Sequence, residues 1–264
     1  MRYLILTTCT LVISVSAQAQ EDTAELSKQL NNPIASLISV PIEYNVDEDM
    51  GADGDGQLSV LKVSPVIPFS ISEEWNVITR TIISLVDQED IPSNGRGESG
   101  LADTAFSAFF SPKAPTASGW IWGVGAISIL DTAAEDELGG GKWGLGPTAV
   151  VLKQSGPWTY GALTHYVTDV GGDDDRADIE QLFFQPFLSY TTPTAWNYTL
   201  QAESTRDLET DETNTVAIFQ VAKTFKMGTQ ILQWRLGVRH WLESPRYGAD
   251  STMLMGRLTL LFPR

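Results

Sequence analysis

The sequence predicts an all-β chain, a transmembrane up-and-down antiparallel β-barrel of about twelve strands preceded by a short N-terminal helix. Three observations predict it. Apolar and polar residues alternate with period two in successive segments along most of the chain. The connections between those segments alternate between long, acidic loops and short turns. The first residues have the composition of an export signal.

The N-terminus sets the compartment. Met1-Arg2 is a short positive region, Tyr3 to Ser16 is mostly apolar, and Ala17-Gln18-Ala19 has the small-x-small form that a signal peptidase accepts. That apolar run is too short for a membrane-spanning helix, which needs roughly 20 residues. The expected organisation is a signal peptide over 1–19, a periplasmic segment with a short helix over 20–35, and a barrel over 36–264, carried to the cell outer membrane. Cys9 is the only cysteine and lies in the signal, so no disulfide staples the exported chain.

Composition excludes several classes. The chain has 17 basic and 33 acidic residues, a net charge of −16. Loss of residues 1–19 removes one basic residue and no acidic one, so the balance falls to −17. Nucleic acid is therefore not an expected partner, because phosphate binding needs basic surface. With two histidines and no cysteine beyond the signal, no metal and no cofactor is expected. Mean hydropathy is −0.06; in a barrel this average hides the lipid-facing residues, since lumen-facing ones cancel them in any window.

Strands are expected near 36–46, 57–68, 75–86, 100–111, 118–130, 143–153, 157–168, 179–190, 195–205, 214–224, 230–241 and 252–262. In the first, Ile38, Val40, Ile42, Tyr44 and Val46 share one face, with Ser39, Glu43 and Asn45 on the other. Residues 195–205 set Trp196, Tyr198 and Leu200 against Asn197, Thr199, Gln201 and Glu203. Residues 230–241 set Trp234, Leu236 and Val238 against Gln233, Arg235 and Arg239, and the last strand sets Leu254, Leu258 and Phe262 against Met255, Arg257 and Thr259. Segments 118–130 and 214–224 read in either facing. Pro41, Pro65, Pro147 and Pro186 fall inside strands and are expected at bulges or edge-like positions, since proline removes a ladder donor.

The long, acidic connections are Asp47–Gly56, Asp87–Glu98, Asp131–Gly141, Asp169–Ala177, Arg206–Glu212 and Leu242–Ser251. The mostly short set is Phe69–Glu74, Pro112–Ala117, Gln154–Gly156, Thr191–Thr194 and Phe225–Thr229. Long outer loops and short periplasmic turns produce this alternation in an up-and-down barrel, with both termini inside. Before the first strand, Leu26 and Leu30 have helical spacing and Asn31-Asn32-Pro33 stops the turn, so a helix near 25–30 is expected, either frayed or tucked into the barrel mouth.

Several long stretches carry a resemblance: ELSKQLNNPIASLISVPIEYN (25–45), PVIPFSISEEWNVITRTI (65–82), WGLGPTAVVLKQSGPWTYGAL (143–163), GDDDRADIEQLFFQPFLSYTTPTAW (172–196) and the ending LTLLFP. Over nearly the whole exported chain the sequence resembles the outer-membrane "transporter" proteins grouped with the meta-pathway phenol-degradation component. The resemblance implies an outer-membrane β-barrel with a role in uptake of small organic molecules, and it brings no catalytic residues.

Charges on the polar faces are the candidate site. Lys62, Arg80, Arg235, Arg239, Arg257, Glu43, Asp103 and Glu203 are expected to line the lumen, because a lysine or arginine facing lipid at mid-depth costs roughly 2–4 kcal/mol. Such a cationic ring either favours anions or closes the barrel as a salt-bridge plug. Asp53-Gly-Asp55-Gly and Asp173-Asp174-Asp175 lack the glutamate of a full calcium loop and are expected as solvated loops that meet lipopolysaccharide. His165 precedes Tyr-Val-Thr and His240 precedes Trp-Leu-Glu-Ser244, so neither has a serine two residues on, and no enzyme is expected. The expected function is passive uptake or binding of a small organic solute, with membrane lipid as the other partner. The competing readings are a closed structural or adhesion barrel working through its acidic loops, and a membrane hydrolase.

Overall fold

A computed structural model describes residues 22–91, 95–244, 248–249 and 252–263; the expected signal peptide lies outside the described residues. One helix, α1 (22–29), precedes the strands. These are β1 (Ile38–Met50), β2 (Gly56–Val63), β3 (Val66–Ser70), β4 (Trp75–Glu89), β5 (Gly97–Leu101), β6 (Thr104–Pro112) and β7 (Trp120–Leu130). They continue with β8 (Lys142–Ser155), β9 (Trp158–Gly172), β10 (Glu180–Thr191), β11 (Trp196–Asp207), β12 (Thr213–Met227), β13 (Gln230–Glu243) and β14 (Thr252–Phe262).

Every pairing is antiparallel between neighbours in the wall, and β14 closes on β1 from Ile38↔Phe262 to Asn45↔Met255. β2 and β3 form one strand of the wall, since both pair with β1 and β4; β5 and β6 form another, both pairing with β4. The wall is thus a closed barrel of twelve strands. Closure satisfies every edge, which lipid requires because nothing else there can bond a free N–H. No described helix is long and apolar enough to cross a membrane; the chain crosses with strands.

The prolines differ from the bulges the sequence suggests. Ser39↔Val66 and Ile42↔Val63 keep one register across the β2–β3 break, and Phe184↔Ser204 and Phe187↔Gln201 do so across Pro186. A missing N–H interrupts the ladder locally without inserting a residue, and neighbours bridge the gap through Ser64 N–H to Pro41 O (2.9 Å) and Thr81 N–H to Pro65 O (3.2 Å). A bulge does occur between β5 and β6, where Leu85↔Leu101 gives way to Ile82↔Ala105 with one extra residue on the second strand. Several strands also run farther toward the long loops than the alternation suggests. β1 reaches Met50 and β9 reaches Gly172, because above the bilayer both faces meet water and the apolar–polar contrast that marks a strand is lost.

The outer surface is apolar at mid-height, with Leu85, Phe110, Val124, Leu145, Leu200, Phe219 and Leu236 exposed. A soluble monomer rarely exposes so continuous an apolar surface. Toward the short turns, outward-facing aromatics interlock edge-to-face: Trp75 with Trp122, Trp120 with Tyr160, Trp158 with Tyr190, and Trp196 with Trp234, with centroids 4.9 to 6.0 Å apart. Lys153 and Lys223 lie over Trp120 and Trp196. Amphipathic rings suit the headgroup zone, and this belt marks one membrane interface.

α1 and the residues after it enter the lumen at the short-turn end. Ile34 is 3% exposed and packs against inward-facing Ile78, Phe109, Val150, Leu152 and Leu163. Leu26 and Leu30 pack with Ala35, Leu37, Leu261 and Ile231. The polar groups are held too: Gln154 Nε2 donates to Lys28 O (3.0 Å), and Asn76 Nδ2 to Ser36 Oγ (2.7 Å). Of the two states the sequence allows, the helix is tucked into the mouth. Gly123 makes room for it, because a Cβ there would stand 3.1 Å from Ile34 Cδ1. Gly125 serves the wall itself, since a Cβ there would fall 1.8 Å from Ala108 O.

Two measurements follow. Gly125→Val should abolish the folded, heat-modifiable band on a gel, because no side-chain shift relieves a collision with backbone; a normal band would mean the two strands approach less closely. A tag inserted at Gly54 should be labelled on intact cells and one at Gly156 should not, with the reverse pattern inverting the barrel in the membrane.

Candidate functional site

The strand register brings the charges together. Lys62 of β2 stands opposite Glu43 of β1, Glu43 opposite Arg257 of β14, and Arg257 opposite Arg235 of β13. Four neighbouring strands thus present one row across the closing seam, all on the inward phase. Arg80 projects from β4, opposite Val66 and Ser107. Glu203 comes from β11 on the other side of the lumen.

These side chains line a cavity of about 360 Å³ inside the barrel. Its floor is the N-terminal plug, with Gln29, Asn31, Pro33, Ala35 and Leu37 facing it. One wall is charged, holding Lys62, Arg80, Arg235 and Arg257 with Glu43. The other carries an apolar patch of Phe109, Ile127, Leu163, Phe183 and Phe187, with Thr148, Gln185 and Gln201 beside it. His165 also lines it, stacked on Phe183 with centroids 4.6 Å apart and planes 13° apart.

The cations differ sharply in their partners. Arg257 is ion-paired with Glu43, its Nε 2.6 Å from Oε2 and an Nη bonded to the same oxygen. Arg235 is 6% exposed and has only neutral acceptors: Nη1 donates to Gln220 Oε1 (2.7 Å), and Nη2 to Gln233 Oε1 (3.2 Å) and Asn31 Oδ1 (3.5 Å). Its Nε has no partner. Lys62, Arg80 and Arg235 have no carboxylate at ion-pair distance among the described residues. Glu203 accepts from Gln185 and Gln201 at Oε1, 3.0 and 2.9 Å.

Two of the sequence candidates lie elsewhere. Arg239 is above the cavity in a buried pair, with Nη1 3.0 and 2.9 Å from the two Asp47 oxygens, and Trp241 Nε1 donates to the same carboxylate at 3.2 Å. With Val216, Ile218 and Met255 nearby, this fills the lumen toward the long loops. Asp103 does not line the cavity. The bulge between β5 and β6 carries it to the loop end, where it accepts from the backbone of Thr132, Ala133 and Gly140 at 2.7 to 3.2 Å. Three backbone donors in one loop satisfy a carboxylate that the strand pattern alone would aim inward.

The sequence also missed residues. Asp47 reads as the start of an acidic loop, yet it continues the inward phase of Glu43 and Asn45, and that phase is the signal that finds it. Gln220, 1% exposed, carries the same inward phase, and Gln233, equally buried, stands on the polar face already read for its strand. Phe109, Phe183 and Phe187 give no such signal, because an aromatic on the lumen side looks like one facing lipid. On the outside of the wall, His240 Nδ1 lies 2.8 Å from Thr252 Oγ1, and among the described residues no third group bonds its other nitrogen.

No protein-family profile matches the chain, and no curated protein does. Among solved structures, the outer membrane channel of Pseudomonas putida F1 aligns with a TM-score of 0.67 at 14% identity, over 86% of this chain and 94% of that one. The NanC porin aligns at 0.52 with 9% identity, over 86% and 100%. Outer membrane phospholipase A from Escherichia coli aligns at 0.49 with 8% identity, over 85% and 90%, too loosely to carry an argument. At these identities the likeness is one of fold. With the closed twelve-stranded wall and its apolar outer band, it locates the chain in the outer membrane.

The buried Arg239–Asp47 pair gives a stability prediction. Asp47→Leu alone should lower folding stability by about 3–5 kcal/mol, because it strands a buried guanidinium, whereas adding Arg239→Met should recover most of it. Thermal melting followed by heat-modifiability compares the three; equal losses in single and double variants would show that the pair is not coupled.

Proposed function

We propose that this barrel is a passive channel for small organic solutes, binding them at mid-height on the way through. The observation that carries the reading is the charged, half-apolar cavity held between the N-terminal plug and the Arg239–Asp47 layer. Arg235 is buried with only neutral partners, and a barrel serving only as a scaffold gains nothing from such a charge, whose burial costs several kcal/mol. The fold shared with the Pseudomonas putida channel supports the reading, and so does the sequence resemblance to the transporters grouped with phenol degradation. On this reading residues 1–19 direct export, the acidic loops face lipopolysaccharide, and the protein carries out no chemistry of its own.

Passage requires the plug to move, and its polar contacts to the wall suit reversible docking. Ile34→Asp should release it: an unpaired carboxylate in that apolar cluster shifts the docked-to-free balance by about 3 kcal/mol, or about a hundredfold. In planar bilayers the variant should open far more often than the native chain. If both stay silent while migrating as folded barrels, the closed structural barrel is the better reading.

A further inference from the structure

The geometry points to an organic monocarboxylate as the cavity's occupant, its carboxylate at Arg80, Lys62 and Arg235 and its apolar body against Phe109, Phe183 and Leu163. The inference deepens the channel reading and rests on the lumen being the solute's route.

The charge balance of the lining is the first support. Four cations, Lys62, Arg80, Arg235 and Arg257, face two carboxylates, Glu43 and Glu203. Glu43 is committed to Arg257, and Glu203 is bonded by two glutamine amides. Neither carboxylate stands at ion-pair distance from the remaining three cations. Among them Arg235 is more than nine-tenths buried and lines the cavity; its Nη atoms are bonded to amide oxygens, and its unpartnered Nε is itself enclosed. A guanidinium presents a planar fork that matches a carboxylate, so an anion in the cavity meets the donors of Arg80 and Lys62, with the enclosed charge of Arg235 beside them.

The opposite wall defines the rest of the molecule. Phe109, Ile127, Leu163, Phe183 and Phe187 form an apolar patch on it, with Thr148, His165 and Gln185 among them, and Phe183 presents a flat surface stacked beside His165. A hydroxyl-rich sugar acid would leave unpaired those of its polar groups that lie on this patch. A neutral apolar solute would leave the cations uncompensated. A dianion of this size would need cations at both ends, and they lie on one wall only. A volume of about 360 Å³ is at the small end of ligand sites and suits a single ring with a short substituent. The acidic loops do not oppose this choice at the site, because exposed charges beyond about 8 Å are screened at physiological salt.

The test uses the purified full barrel and three probes at neutral pH: benzoate, benzyl alcohol and acetate, titrated calorimetrically. Benzoate should bind at least about tenfold more tightly than benzyl alcohol, which lacks the charge, and than acetate, which lacks the body. Arg80→Gln and Lys62→Gln, each checked for a folded band, should collapse the benzoate-to-benzyl alcohol ratio toward one. Equal binding of benzoate and benzyl alcohol, or of benzoate and acetate, overturns the inference, as does a ratio unchanged in both folded variants. Bilayer recordings on the same preparation separate the two readings. Benzoate binding without any current keeps the site and sinks the channel, whereas current without benzoate preference keeps the channel and sinks the site.

Discussion

In the hydrocarbon layer of a membrane no water is present to bond a free backbone N–H or C=O, so a sheet there must close on itself. The seam between β1 and β14 meets that constraint, and it also builds the site. Its register sets Glu43 beside Arg257, and the neighbouring registers add Lys62 and Arg235. A slip of one residue at the seam would turn a strand's charges toward lipid, at a cost of roughly 2–4 kcal/mol for each arginine or lysine. The charges therefore hold the register of the closure that gathers them, and fold and site stabilise each other.

Closing twelve strands raises a second problem, that of the space inside. Barrels of eight strands are filled by their own side chains, and much wider ones hold water. This barrel is intermediate and fills its two ends by different means. At the short-turn end the chain's own N-terminal segment enters, with Ile34 as its apolar anchor. Toward the long loops Arg239, Asp47, Trp241 and Met255 occupy the lumen. The cavity is what lies between. Asn31 belongs to the plug and touches both Thr191 of the wall and the guanidinium of Arg235, so the floor of the cavity and its most buried cation are in contact.

Charge is sorted by depth. The chain as a whole is strongly acidic, and its loops hold much of that charge, some of it bound locally, as when Asp103 gathers backbone N–H groups while Arg176 bonds the carbonyls of Asp136 and Gly140. The lining at mid-height has the opposite excess. Salt water screens the loop charges beyond about 8 Å, while those inside the low-dielectric wall are screened far less. What a solute meets at the mouth and what it meets at the narrow part are therefore electrostatically different.

Much of this protein was legible in its sequence because the bilayer imposes a simple code. Lipid on one side and lumen on the other force a period of two, so the strands and the inward phase of Lys62, Arg80, Arg235, Arg257, Glu43 and Glu203 could be read from alternation alone. Where that contrast fades, reading failed: beyond the bilayer, where Asp47 looks like loop; at the β5–β6 bulge, where one extra residue diverts Asp103; and on the aromatic lumen wall, where inside and outside are equally apolar. Only the tertiary structure decided that the N-terminal helix enters the barrel, that Glu43 neutralises Arg257 rather than Lys62, and that Arg235 is left with neutral partners. Alternation fixes which way a side chain points. Its partners depend on registers across several strands and on a plug distant in sequence, and these exist only once the barrel has closed.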